Sequence, residues 1–170
     1  KNQVRLNFIL VENELLFNEN ATLNGIDESR ESSLNQNSIG GGLFYKRIWN
    51  DNFQTTLQVY ENDYKLKAIN ANILEYQRAL QENKVSETGM KLNTQYNIND
   101  RISFLNGYQF KETKVTNFDD VDNPVFSLFI GEVLREHSLY SQLNLLSKDK
   151  SQNLITGVRI NYIPRLEKIL

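Results

Sequence analysis

Residues 89–98, GMKLNTQYNI, set Met90, Leu92, Thr94, Tyr96 and Ile98 against Gly89, Lys91, Asn93, Gln95 and Asn97. Alternation this regular, with a period of two, belongs to a β-strand whose two faces meet different surroundings. The same period recurs in both directions along the chain. Residues 53–60 place Phe53, Leu57 and Val59 opposite Gln54, Gln58 and Tyr60. Residues 101–111 set Ile102, Phe104, Tyr108 and Phe110 against Ser103, Gly107, Gln109 and Lys111, with Leu105 and Asn106 out of phase. In 138–146 Leu139, Leu143 and Leu145 oppose Tyr140, Gln142 and Asn144, and in 153–162 Leu154, Val158, Ile160 and Tyr162 oppose Asn153, Gly157, Arg159 and Asn161. Such runs of about ten residues predict long strands.

Other stretches are less regular. Residues 38–49 read as a strand whose faces stay unassigned, because Lys46 and Arg47 break both phases. Residues 2–17 alternate at Val4, Leu6 and Phe8 and then lose the pattern. Residues 69–80 fit either a short helix through Ile73, Leu74, Gln77 and Leu80 or a strand extension with a loop. Asn50-Asp51-Asn52, Asn99-Asp100 and Lys148-Asp149-Lys150 predict tight turns, since Asn and Asp stabilise turn backbone. Between them, the polar stretches 18–37, 68–85 and 113–135 are expected as long connections. Short turns alternating with long loops are a feature of up-and-down outer-membrane barrels, whereas soluble sandwiches turn every 8–12 residues or so.

Composition narrows the classes. The chain has 170 residues, 19 Lys plus Arg, 21 Asp plus Glu, one His and no Cys. That excludes disulfide scaffolds, Cys-ligated zinc and thiol catalysis, and a net charge of −2 leaves no basic footprint for nucleic acid. The longest apolar run, Phe8 to Val11, is far short of the ~20 residues of a spanning helix. A spanning strand needs only ~9–11 residues and half of them may be polar, so a mean hydropathy of −0.52 is compatible with a barrel. Asparagine occurs 23 times and proline only twice, which suits long strands joined by Asn-rich turns.

LNGYQF at 105–110, ETGMKLNTQYNIND at 87–100, LREHSLYSQLNLLSKD at 134–149, GVRINYI at 157–163 and SSLNQNSIGGGLFYKRIWNDNFQTTL at 32–57 resemble the barrel half of TonB-dependent outer-membrane receptors. They are most similar to those of Bacteroidetes-type bacteria. The resemblance covers most of 32–163 and rests on strand-and-turn texture. It implies an all-β, antiparallel, up-and-down transmembrane β-barrel of 22 strands, of which residues 1–170 would form about seven within one barrel domain. It further implies an outer-membrane location, lipid, a plug domain and the rest of the barrel as partners, TonB contacted through regions outside this chain, and a surface lipoprotein over the mouth. Neither a plug nor a TonB box is seen here. An open sheet of seven strands would leave unsatisfied edges, so other segments are expected to complete the wall. The function implied is energised uptake of a scarce or large ligand, with no enzyme activity, no cofactor and no nucleic acid. Metal chelates, glycans, peptides and cobalamin-like molecules stay open as ligands. The alternative is a soluble or surface-attached β-rich binding module, an adhesin or glycan-binding sandwich.

Individual motifs fit this frame. Gly40-Gly41-Gly42 lacks the Lys-Ser/Thr of a phosphate loop and reads as a bend or close approach. Residues 117–123 gather oxygen ligands, but a calcium loop begun at Asp120 would have Val125 at its glycine position and Gly131 at its glutamate position. Asp119, Asp120, Asp122, Phe126 and Phe129 are therefore candidates for ligand or partner contact in an exposed loop. His137 lacks a nucleophile elbow or second ligand beside it. Trp49, Leu57, Leu92, Tyr96, Phe104, Tyr108, Leu143, Val158 and Tyr162 are candidates for the lipid face or its aromatic girdle.

Overall fold

A computed structural model describes residues 1–23, 26–72, 77–149, 151–164 and 167–169. They form one antiparallel sheet: β1 (Asn2–Leu23), β2 (Ile26–Ile48), β3 (Phe53–Asn72), β4 (Gln77–Asn99), β5 (Ile102–Val121), β6 (Phe126–Leu146), β7 (Asn153–Tyr162) and β8 (Glu167–Ile169). Strands β1 to β7 lie in chain order, each paired with the next, and β8 pairs with β6 beyond the end of β7. His137 faces Tyr162 and Val133 faces Glu167, so four steps on β6 match five on the opposing chain. The pairing with β6 is thus offset by one residue between Tyr162 and Glu167.

The tight turns fall where the Asn/Asp clusters place them, between Ile48 and Phe53, Asn99 and Ile102, and Leu146 and Asn153. Among the described residues the long connections are mostly strand. Within 18–37, 68–85 and 113–135 the chain is strand up to Leu23, Asn72 and Val121 and again from Ile26, Gln77 and Phe126. Residues 69–72 and 77–80 are extended, not helical, and 73–76 lie outside the described residues. These segments read as loops because they are polar. A ladder needs only backbone partners, and polar side chains on both faces do not disturb it.

Because directly paired residues point to the same side, the registers give both faces row by row. On one face runs Val4–Tyr45–Leu57–Leu92–Tyr108–Leu139–Ile160, and beside it Leu6–Leu43–Val59–Met90–Phe110–His137–Tyr162. The opposite face carries Gln3–Lys46–Thr56–Asn93–Gly107–Tyr140–Arg159 and Arg5–Phe44–Gln58–Lys91–Gln109–Ser138–Asn161. The strand 38–49 now resolves: Lys46 points to the polar face and Arg47 to the apolar one.

The burial pattern is inverted relative to a water-soluble sheet. Val133 is the one buried large hydrophobic residue among those described, while Ser138, on the polar face, is buried. Leu92, Leu139 and Ile160 are 41%, 60% and 66% exposed. The apolar face is the uncovered one.

The sheet is also sheared. From the row through Tyr45, Leu92 and Leu139, the next turn is centred about 6, 8.5 and 10.5 residues away, and at the other end the pairing registers of β1–β2, β3–β4 and β5–β6 are centred about 20.5, 17.5 and 15.5 residues from Tyr45, Leu57 and Tyr108. Both ends slide by roughly 4.5–5 residues over four strand spacings. With ~3.4 Å per residue and ~4.8 Å per spacing, the strands incline by about 40° to the line of turns, the tilt of a closed barrel wall.

Candidate functional site: an apolar band and a polar face

The apolar rows end abruptly. On β5 the apolar face carries Ile102, Phe104, Tyr108 and Phe110, then Glu112; on β3 Leu57 and Val59 give way to Glu61 and Asp63; on β6 His137 gives way to Arg135. On β1 and β2 the change comes later, after Leu10 and Ile39. The band therefore slants across the strands in the same sense as the turns. On β5 it spans nine residues, about 27 Å along the strand or about 21 Å along an axis inclined at 40°, close to the ~25 Å lipid-facing band of a barrel.

Beyond the band the polarity of the two faces reverses. The face that was apolar now holds Lys65, Lys84 and Glu82 in an ion-paired triad, at 2.9 Å and 2.7 Å, with Glu112 and Arg135 paired at 2.5 Å. The hydrogen bond from Lys84 holds the Glu82 carboxyl below its ordinary range. The other face turns towards apolar and amide residues, with Leu66, Val85, Val115 and Ile130 among Asn83, Gln36 and Asn117. At its tip Phe17, Ser32, Asn70, Ala79 and Val121 line a hollow of ≈ 620 Å³.

Aromatic residues mark both limits of the band. Near the tight turns the Trp49 ring lies 6.5 Å from Phe53, which is 6.5 Å from Tyr96. The Arg47 guanidinium sits 3.7 Å over the Trp49 ring, and the indole N–H donates to Thr55 Oγ1 at 3.0 Å. At the other limit His137 is packed among Phe110, Tyr108 and Tyr162 and is hydrogen-bonded through Nδ1 to the Tyr108 hydroxyl at 2.8 Å.

No protein-family model and no curated protein matches the sequence. Among solved structures, 98% of the chain superposes on 34% of the crystal structure of BauA, the ferric preacinetobactin receptor from Acinetobacter baumannii, with a TM-score of 0.64 and 7% identity. The fold is that of part of an antiparallel outer-membrane-type β-barrel wall. The siderophore receptor PiuA from the same organism is matched over 94% of this chain and 39% of its own, with a TM-score of 0.41 and 8% identity. The chain thus spans about a third of the length of the BauA structure.

The structure gathers one group of expected residues and separates the other. Leu57, Leu92, Tyr96, Phe104, Tyr108, Leu143, Val158 and Tyr162 share one face, and Trp49 flanks it at the turn. Asp119 and Asp120 are not in a loop but are consecutive residues of β5, so they point to opposite faces; Phe126 and Phe129 likewise belong to β6 and diverge. Asp122 is in the turn, 4.0 Å from Arg78. The aspartates do not converge, and no group of three His, Asp or Glu among the described residues could hold a metal ion.

Sequence reasoning missed two couples on the polar face. Tyr60 is directly opposite Gly89, and Tyr140 directly opposite Gly107. A methyl group on either glycine would overlap the tyrosine ring. The Tyr60 hydroxyl donates to Glu87 at 3.0 Å, and that of Tyr140 to Asn93. Glycine in the polar phase of two alternating strands was the available signal.

Proposed function

We propose that this chain is part of the wall of a TonB-dependent outer-membrane receptor, with the apolar band in lipid and the polar face towards a lumen filled by a plug. The other strands of the barrel, the plug and the TonB contact lie outside these residues, and the resemblance in texture is what favours a Bacteroidetes-type receptor. The protein would bind and import a ligand, not transform one. The observation that carries this reading is the exposed, slanted apolar band opposite a polar face. A soluble sandwich would bury such a face against a second sheet.

The strands that continue beyond the band form the outer vestibule. There Asp119 and Phe126, on the lumen side, are proposed for ligand contact. Asp120 and Phe129, on the outer side, are proposed for a partner such as a surface lipoprotein, and Asp122 for either at the rim.

Single-cysteine scanning of 89–98 in the complete receptor tests this, since the chain has no native cysteine. Reaction with a water-soluble thiol reagent is expected to be high at Asn93 and Gln95 and low at Leu92 and Thr94. A flat profile, or one repeating every three to four residues, would overturn it.

A further inference from the structure

The polar face within the band carries Arg5, Lys46, Lys91 and Arg159 and no carboxylate. In the three successive rows from Gln54–Gln95 to Arg5–Lys91 the other polar groups among the described residues are amides and hydroxyls, apart from Lys1, a fifth cation that pairs with Ile48 at the edge of the first row. None of the four cations is paired with an acid among the described residues. Arg5 stacks on Phe44 at 5.6 Å, Lys91 and Arg159 lie 5.9 Å and 5.8 Å from the Tyr140 ring, and Arg159 donates to Ser138, Asn161 and Gln109. The first carboxylates on this face appear one and two rows further on, already engaged: Glu136 with Lys111 at 2.5 Å, and Glu87 with Tyr60.

We infer that this cationic belt is the seat of an acidic protein surface within the lumen, formed by Asp and Glu side chains of the plug. The inference rests on the proposed barrel reading and names the chemistry of the wall's partner. Two adjacent rows hold all four charges, so the belt is about 7 Å tall, and from β1 to β7 it is about 29 Å wide. A small anion would meet one or two of these cations; only an extended, fixed surface meets four. Where water is displaced between wall and plug, uncompensated like charges repel more strongly than in bulk solvent, so the occupant must carry the opposite sign. The amides and hydroxyls between the cations supply hydrogen-bond partners for a polar surface rather than an apolar one.

Carbodiimide cross-linking of the complete receptor in detergent, read by mass spectrometry, tests the inference. Lys65–Glu82 and Lys111–Glu136 are internal positive controls. The expected result is links from Lys46 and Lys91 to Asp or Glu of the plug, lost in K46Q and K91Q, with the controls retained. A heat-modifiable barrel that shows the control links but none from Lys46 or Lys91 would overturn the acidic seat while leaving the barrel reading intact. So would a lumen in which the four cations change only the anion selectivity of an open pore. A protein that forms no heat-modifiable barrel would remove the reading beneath both.

Discussion

The ring of Tyr140 lies over Gly107, its direct partner across the β5–β6 ladder, and its hydroxyl reaches past the glycine to Asn93 on β4. The tyrosine thereby ties three strands together through the one position that offers no side chain. Gly107→Ala should drive the ring off this seat and destabilise the assembled receptor by about 1–3 kcal/mol, the usual cost of overpacking. Urea unfolding in lipid vesicles measures it. Combined with Tyr140→Ser the cost should shrink, because the clash is removed with the ring. Strict additivity would mean that the couple is not coupled.

The two faces should answer oppositely to charge. Leu92→Arg puts a cation on the apolar band and should cost about 2–4 kcal/mol, falling towards 0–1 nearer the interfaces. Gln58→Glu, opposite Lys91 on the polar face, should assemble as well as the parent. Yield of heat-modifiable receptor in the outer membrane separates the two. Equal loss in both variants would contradict the assignment of faces.

Much of this arrangement was legible from periodicity. GMKLNTQYNI fixes the faces of β4, and the register puts Leu57, Phe104, Tyr108, Leu143, Val158 and Tyr162 on the same face as Leu92 and Tyr96. Residues 38–49 were opaque because Arg47 occupies the apolar face while its guanidinium is spent on the Trp49 ring, a stacking that residue type alone does not announce. The strand extensions were opaque for another reason. Beyond the band the faces exchange polarity, so a hydrophobic pattern that is in phase at Leu92 is out of phase at Val85. The aspartates at 119 and 120 looked like a loop site because continuing strand and polar loop share a composition.

Trp49 should report headgroup depth. It is the sole tryptophan of these residues, held between Arg47 and Phe53 beside a tight turn. In a receptor where it is the only tryptophan, bromines high on the acyl chain should quench its fluorescence more than bromines near the chain terminus. The reverse order would place the turn at the wrong depth. Quenching by neither would remove it from the membrane.

The turn between β6 and β7 should be acid-sensitive in a defined window. Hydrogen bonds from Ser147, and then from Ser151, lower the Asp149 carboxyl to about 2. A carboxylate whose folded value is depressed contributes stability that is complete above its unfolded value, near 3.9, and is lost as pH falls through the folded one. The amide protons of Ser151 and Gln152, bonded to Asp149 at 3.2 Å and to Ser147 at 3.1 Å, should stay protected at pH 4. They should exchange faster, relative to the intrinsic rate, as pH approaches 2. Asp149→Asn should abolish that step, and a step surviving in the variant would assign it elsewhere.

On the proposed barrel reading, the exchange of polarity along each strand predicts where the membrane boundary crosses it. On β4 the outward residues Glu82, Lys84, Ser86 and Thr88 precede Met90 and Leu92 on the same face. Cysteines at the first four should react on intact cells with a membrane-impermeant thiol reagent, and cysteines at 90 and 92 should not. On β1 the outward series is Glu14, Glu12, Leu10 and Phe8, and the switch should fall between Glu12 and Leu10. The row through Met90 meets β1 at Leu6, so the two switches differ by four residues along the strand, in the sense that the 40° inclination requires. A boundary following one row straight across the sheet would mean upright strands, and a wall of upright strands does not close. A uniform reaction along β4, with Leu92 as open as Lys84, would mean that the apolar band faces water and that no part of it is a membrane wall.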